Sequence, residues 1–174
     1  MRKPIYNGRL IQLSLDTVTL PNNAQVDLEI VHHPGGAVVV AVNGHNEVCL
    51  LRQYRYAAKQ QHIWELPAGC IDASDASPQI TARRELHEEA GVQARQWTDL
   101  GAIYTSPGFC DEKLYLFLAQ ELHQGSTQHQ ADELIQVHWR PVAEALSMAR
   151  DGEIIDAKSI TALFRADAVL AQQD

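Results

Sequence analysis

Three carboxylates, Glu85, Glu88 and Glu89, stand close together in the run Arg84-Glu85-Leu86-His87-Glu88-Glu89-Ala90-Gly91-Val92. On a helix, positions i, i+3 and i+4 share a face, so all three side chains project the same way. Like charges at this spacing cost an isolated helix only about 0.2–0.5 kcal/mol per pair, which an ordinary surface helix tolerates. Two readings of the trio therefore stand side by side. One is a solvated acidic face. The other is an all-oxygen site for a hard divalent cation such as Mg²⁺, which keeps water and substrate phosphates as further ligands. The second reading implies metal-assisted attack on phosphorus.

The flanking residues say how such a trio would be positioned. Ile63-Trp64-Glu65-Leu66 is strand-like and stops at Pro67-Ala68-Gly69. Ser77-Pro78 reads as a helix cap followed by proline at the first helical position. Ala82, Leu86 and Ala90 form a narrow apolar stripe that would pack inward, and Gly91 suits the left-handed closing position. Strand, loop and helix in this order bring the glutamates beside backbone carbonyls of the loop.

These residues resemble the Nudix box, G-x5-E-x7-R-E-U-x-E-E-x-G-U with U aliphatic. Gly69, Arg84, Glu85, Leu86, Glu88, Glu89, Gly91 and Val92 match it in order. Asp75 stands where the pattern has its first glutamate, and one extra residue separates it from Arg84, placed in the loop before Pro78. Downstream, Thr105-Ser106-Pro107-Gly108-Phe109-Cys110-Asp111-Glu112 carries a proline fifteen residues after Val92. That segment is similar to the ADP-ribose pyrophosphatase branch of the Nudix hydrolases. So are Arg52-Gln53-Tyr54-Arg55-Tyr56, Glu65-Leu66-Pro67-Ala68-Gly69 and Asp156-Ala157-Lys158-Ser159-Ile160. The resemblance spans residues 34–170.

The resemblance implies an α/β (α+β) Nudix fold, a mixed sheet sandwiched between helices, with an N-terminal β extension. It implies metal ligands at Glu85, Glu88 and Glu89 and at the Ala68 carbonyl, with Mg²⁺ or Mn²⁺ as cofactor. Glu133, with Asp132 as its neighbour and competitor, matches the position of a catalytic base; Glu88 and Glu112 are the other catalytic candidates. Arg55, Ser106, Pro107 and Gly108 are the substrate-binding candidates. Arg52 joins them, since guanidinium forks suit phosphate oxygens, although an exposed strand residue is the equal reading there. Arg84 is expected to orient the glutamates by ion pairing. The implied reaction is hydrolysis of a nucleoside diphosphate sugar, ADP-ribose to AMP and ribose 5-phosphate, with GDP-mannose or ADP-glucose as alternative substrates. A module that senses ADP-ribose without cutting it, and an adaptor with a structural acidic helix, are the readings from other classes. Relatives in this branch are homodimers with exchanged N-terminal strands, and the same is expected of residues 1–33, with residues 34–174 forming the Nudix domain.

Composition sets limits. The 174 residues suit one domain able to bury about 70% of its unfolded surface. A net charge of −8 argues against general nucleic-acid binding. No apolar run is long enough to span a membrane, and Met1-Arg2-Lys3-Pro4 is not followed by a signal-peptide core. Cys49, Cys70 and Cys110 lack C-x-x-C spacing and read as reduced cytoplasmic thiols. Arg9–Leu20 and Gln25–Val31 alternate as strands joined through Pro21-Asn22-Asn23, His33-Pro34-Gly35-Gly36 is a break, and Asn43-Gly44 signals a hairpin. Strands are expected near Trp97–Tyr104, Lys113–Glu121 and Leu134–Arg140, with a polar loop at His123–Asp132. Helices are expected near Pro141–Arg150 and Asp156–Ala171.

Overall fold

The computed structural model describes residues 1–59, 61–125 and 134–173. The chain opens with an antiparallel three-stranded sheet, β1 (Arg2–Asn7), β2 (Gln12–Thr19) and β3 (Gln25–His32), in that spatial order. The turn at Asn22-Asn23 joins β2 to β3, with Asn23 in the left-handed region at φ 64° and the Asn22 side chain accepting the Ala24 amide at 3.1 Å. Strand β1 is unannounced in the sequence, where the first strand is expected from Arg9. The reason is physical: every residue of β1 is exposed, so it has no buried face to impose alternation. Pairing with β2 alone makes it a strand, and the register slips at Pro4/Tyr6, next to the proline that has no N–H to donate. Arg9 and Leu10 lie in the connecting turn, closed by the Gly8 amide on the Ile11 carbonyl at 2.9 Å.

Residue parity organises the rest. In β4 (Gly36–Ala41) every residue is buried. Ala37, Val39 and Ala41 pack on one side with Ala82, Leu86 and Ala90 of α1 (Pro78–Ala90). Val38 and Val40 pack on the other side with α2 (Val142–Asp151) and α3 (Ala157–Leu170). The same alternation continues in β5 (Glu47–Arg55): Cys49 and Leu51 join the α1 side, Val48 and Leu50 the α2/α3 side. After β6 (Gln61–Glu65), β7 (Ala68–Cys70), β8 (Val92–Tyr104), β9 (Lys113–Gln124) and β10 (Ile135–Pro141), two sheets result. A mixed sheet has the order β7-β4-β9-β8, with β4 parallel to β9, and an antiparallel sheet has the order β10-β5-β6. The mixed sheet between helices is thus as the sequence implied.

Asn43-Gly44 does form a turn, but as a corner and not as a hairpin. Between β4 and β5 only Val42 and Val48 bridge, and the two strands continue into different sheets. The left-handed residue of this turn is Asn46 (φ 57°), while the Asn43 carboxamide accepts the amides of His45 and Glu47. Strand β9 reaches Gln124, which moves His123 out of the expected loop and into the sheet.

Helix α1 begins and ends as its sequence dictates. Ser77 stands at the cap position, extended (φ −162°), but its hydroxyl makes no capping hydrogen bond; Pro78 takes the first helical position, and Gly91 closes the helix at φ 67°. The small residues of its inner stripe let it lie close on β4, with Ala82 fully buried and Leu86 1% exposed.

Cys49, on the strand behind this helix, is fully buried. Burial, with the Glu89 charge adding to it, pushes its thiol up to about 12. Iodoacetamide at pH 8 should therefore leave Cys49 unmodified in the native protein and label it once the chain is unfolded, as read by peptide mass spectrometry.

Candidate active site

Helix α1 presents its acidic face to residues 66–69, the link from β6 and the first two residues of β7. The loop is held from three sides. The Leu66 amide donates to Ser159 Oγ (2.8 Å), the Val39 amide donates to the Pro67 carbonyl (2.9 Å), and the Ala68 amide donates to Glu89 Oε2 (2.8 Å). Gly69 is where the helix comes closest. A Cβ there would stand 2.0 Å from Glu85 Oε1, so only glycine leaves room for the carboxylate. Glu85 and Glu89 are 7% and 3% exposed, which removes the solvated-face reading for both; Glu88 is half-buried.

Arg84 gathers the acids. Its Nη1 donates to Glu85 Oε1 at 2.7 Å and to Glu88 Oε2 at 3.2 Å. Its Nη2 donates to the Cys70 carbonyl at 3.0 Å and lies 3.3 Å from both Asp72 and Asp75. Burial works against the charged guanidinium, but Glu85 and Asp75 outweigh it and hold its pKa above the usual value. Asp75, at the position of the pattern's first glutamate, also accepts Thr81 Oγ1 at 2.8 Å. Partial burial opposes ionisation of its carboxyl, yet the bonds from Thr81, the Asp72 amide and Arg84 keep it below the ordinary range. The shorter side chain still reaches Arg84.

A cleft of about 450 Å³ opens beside the loop, lined by Ala68, Gly69, Arg55, Ser106, Glu112 and Lys158 among others. Arg55 meets buried Glu65 through Nε (2.9 Å) and Nη2 (2.6 Å). Lys158 Nζ lies between Glu65 Oε2 (3.2 Å) and Asp156 Oδ2 (2.9 Å). Burial raises the Glu65 pKa, but Arg55 and Lys158 reverse the sign and keep it a carboxylate. Glu112 accepts Thr105 Oγ1 at 2.8 Å and lies 3.3 Å from His33 Nδ1.

The structure thus brings Arg55, Ser106, Glu112 and the Ala68 loop to one cleft beside Glu85, Glu88 and Glu89. Pro107 and Gly108 are exposed and do not line it. Arg52 also stands outside, its guanidinium 5.4 Å from the Trp64 ring centroid. Arg52 and Arg55 are three apart on one strand, and an odd separation puts side chains on opposite faces. Asp132 and Glu133 lie outside the described residues. Lys158, Glu65 and His33 join the cleft or its wall without a role expected from the sequence. Lys158 and Glu65 belong to segments already singled out, Asp156–Ile160 and Glu65–Gly69, and their polar character within such segments was the available signal. Nothing local marks His33, which arrives from the end of β3.

Among the described residues, no three acidic, imidazole or thiol side chains already converge as a metal cluster. The donor chemistry is nonetheless that of a hard cation: carboxylate oxygens on one helical face, with Arg84 balancing their charge.

The NUDIX domain model matches residues 32–163. This chain belongs to the Nudix hydrolase family. Among its relatives is the "ADP-ribose pyrophosphatase" of Bacillus subtilis (strain 168), 36% identical over 93% of this chain and 88% of that protein. The "ADP-ribose pyrophosphatase" of Mycobacterium tuberculosis (strain ATCC 25618 / H37Rv) is 34% identical over 95% of this chain and 80% of its own length. A crystal structure described as an ADP compounds hydrolase shares the fold, with a TM-score of 0.84 over 99% of this chain and 93% of that one, at 22% identity. The Nudix box of this chain is therefore the helix and loop built around Arg84 and Gly69.

Gly69→Ala tests that construction. The added methyl must push Glu85 away from Arg84, and overpacking of this kind costs about 1–3 kcal/mol. A lowered thermal midpoint with an unchanged circular dichroism spectrum is the expected result.

Proposed function

We propose that the protein hydrolyses the diphosphate bond of a nucleoside diphosphate sugar, ADP-ribose to AMP and ribose 5-phosphate, with Mg²⁺ or Mn²⁺. The observation that carries this reading is one juxtaposition. The buried carboxylates of the Nudix box adjoin a cleft whose wall holds two prepositioned cations, Arg55 and Lys158. The names of the two relatives support ADP-ribose as the sugar nucleotide.

In this reading Glu85, Glu88 and Glu89, with the Ala68 carbonyl, would hold the metal. When bound, the metal supplies charge neutralisation on the diphosphate and a lowered pKa for the attacking water. Arg84 aims Glu85 and Glu88 through its Nη1 bonds, and its guanidinium does not give up its proton at any working pH. Glu89 serves twice, accepting the Ala68 amide while facing the site, so loop and helix are set by one side chain. Arg55, fixed on Glu65, presents its cationic edge to diphosphate oxygens. Ser106 borders the sugar from the cleft wall, while Pro107 and Gly108, exposed beyond the cleft, turn the segment that carries it. Glu112, already bonded to Thr105, orients the terminal ribose or the water. Glu133, or Asp132 beside it, accepts the proton from the water. We propose further that residues 1–33 mediate a homodimer, through a sheet that exposes Ile5, Tyr6 and Leu28, and that the enzyme works in the cytoplasm. Among the described residues no helix is long and apolar enough to cross a membrane.

Two experiments check this reading. A hydrolysis panel with Mg²⁺ compares ADP-ribose, ADP-glucose, GDP-mannose and NADH, with EDTA as control. Preference for ADP-ribose with AMP as product, abolished by EDTA, is expected; preference for GDP-mannose would keep the reaction and replace the sugar. Glu89→Gln retains an oxygen for the Ala68 amide, so its thermal midpoint should stay close to that of the parent protein. Its turnover should fall by at least about 100-fold, because a neutral amide is a poor ligand for Mg²⁺. Near-normal turnover would remove Glu89 from the metal site.

A further inference from the structure

The segment Thr105–Glu112 reaches the cleft only at its ends, through Thr105, Ser106 and Glu112. Its middle is stitched to the last residues of β3. The Val31 amide donates to the Phe109 carbonyl (2.7 Å), and the Asp111 amide donates to the Val31 carbonyl (3.1 Å). Cys110 bridges Val31 in parallel fashion. The Asp111 carboxylate then closes the junction, with Oδ2 2.5 Å from His32 Nδ1 and Oδ1 accepting the His33 amide at 2.9 Å. The other nitrogen of His32, Nε2, lies 2.9 Å from Ser14 Oγ, whose hydroxyl donates to Asp16. One imidazole therefore joins β2, β3 and the cleft segment.

We propose that Asp111, gripped by His32, is a positioning residue for the substrate: the pair fixes the segment that delivers Ser106 and Glu112 to the cleft. This rests on the hydrolase reading above. Glu112 follows Asp111 directly, so a shift of the Asp111 carboxylate moves the Glu112 backbone with it. His33 adds a second link through its amide, which donates to Asp111 Oδ1 at 2.9 Å, while its Nδ1 accepts the Gly35 amide at 3.1 Å and holds the ring beside Glu112. The Asp111 side chain is about half exposed (48%), so it contributes little to the core. A residue so placed matters by where it holds its neighbours. Through the pair, the seating of the N-terminal sheet reaches the sugar side of the cleft without any residue of β1 or β2 entering it.

The test combines His32→Ala, Asp111→Ala and the double variant with two readouts. The first is KM and kcat for the best substrate of the panel. Each single variant should raise KM roughly tenfold, the scale of a lost charge-assisted hydrogen bond, with a smaller change in kcat. The double variant should fall well short of the sum of the singles, because the His32–Asp111 contact is lost in both and only the His33 amide and Ser14 contacts are lost separately. His32→Gln, which keeps an N–H donor, should recover part of the loss. The second readout is hydrogen–deuterium exchange of the ligand-free protein, which should accelerate at the amides of residues 105–112 in all three Ala variants. Unchanged KM, or additive effects, would overturn the proposal. A parent protein that cleaves no sugar nucleotide would instead overturn the hydrolase reading. Exchange would then decide the junction alone, with faster exchange at 105–112 sustaining it and unchanged exchange refuting it.

Discussion

One guanidinium holds the acidic site together. Arg84 lies within 3.3 Å of carboxylate oxygens from Glu85, Glu88, Asp72 and Asp75 and donates to a backbone carbonyl as well. Two unit charges 4 Å apart repel by about 4 kcal/mol at the effective dielectric suited to protein surfaces, so an acidic cluster around a buried helix face needs a cation at its centre. Arg84 also dictates geometry. Its two terminal nitrogens divide the work, one toward the helix and one toward the loop, and lysine could not fill both directions. The close seating of α1 on β4, made possible by Ala82 and the small side chains opposite, brings this fork to the right depth.

The departure from the usual Nudix box is absorbed at the same place. Asp75 is one methylene shorter than the glutamate of the pattern, and the loop before α1 is one residue longer. Together they keep a carboxylate within 3.3 Å of Arg84 and 2.8 Å of Thr81. Chain length thus stands in for side-chain length, and the acids facing the cleft are untouched.

Much of this could be read from residue order because it is local. Ser77, Pro78 and Gly91 act within a turn of the helix ends, and the stripe of Ala82, Leu86 and Ala90 follows from helical period alone. Arg84 and the glutamates are neighbours in sequence as well as in space. What stayed hidden was set by distant contacts. Strand β1 exists through its partner β2, and the turn after Asn43 becomes a corner because β5 leaves to pair with β10 and β6. Arg52 stood open between phosphate binding and an exposed strand position until strand parity set it on the face opposite Arg55. Lys158 and His33 come to the cleft from opposite ends of the chain, and no local pattern announces that meeting. Family resemblance supplied the substrate class, which periodicity and spacing could not.

The parallel pairing of β4 with β9 has a consequence in time. Gly36 sits opposite Leu114 and Ala41 opposite Ala119, so α1 and half of the cleft wall lie within the loop that this pairing closes. Closing so long a loop is slow and is compensated only when many contacts form at once. Until then α1 has no completed sheet to lie against, and its glutamates remain in water. The costly gathering of negative charge thereby waits on that closure, whose contacts sustain it.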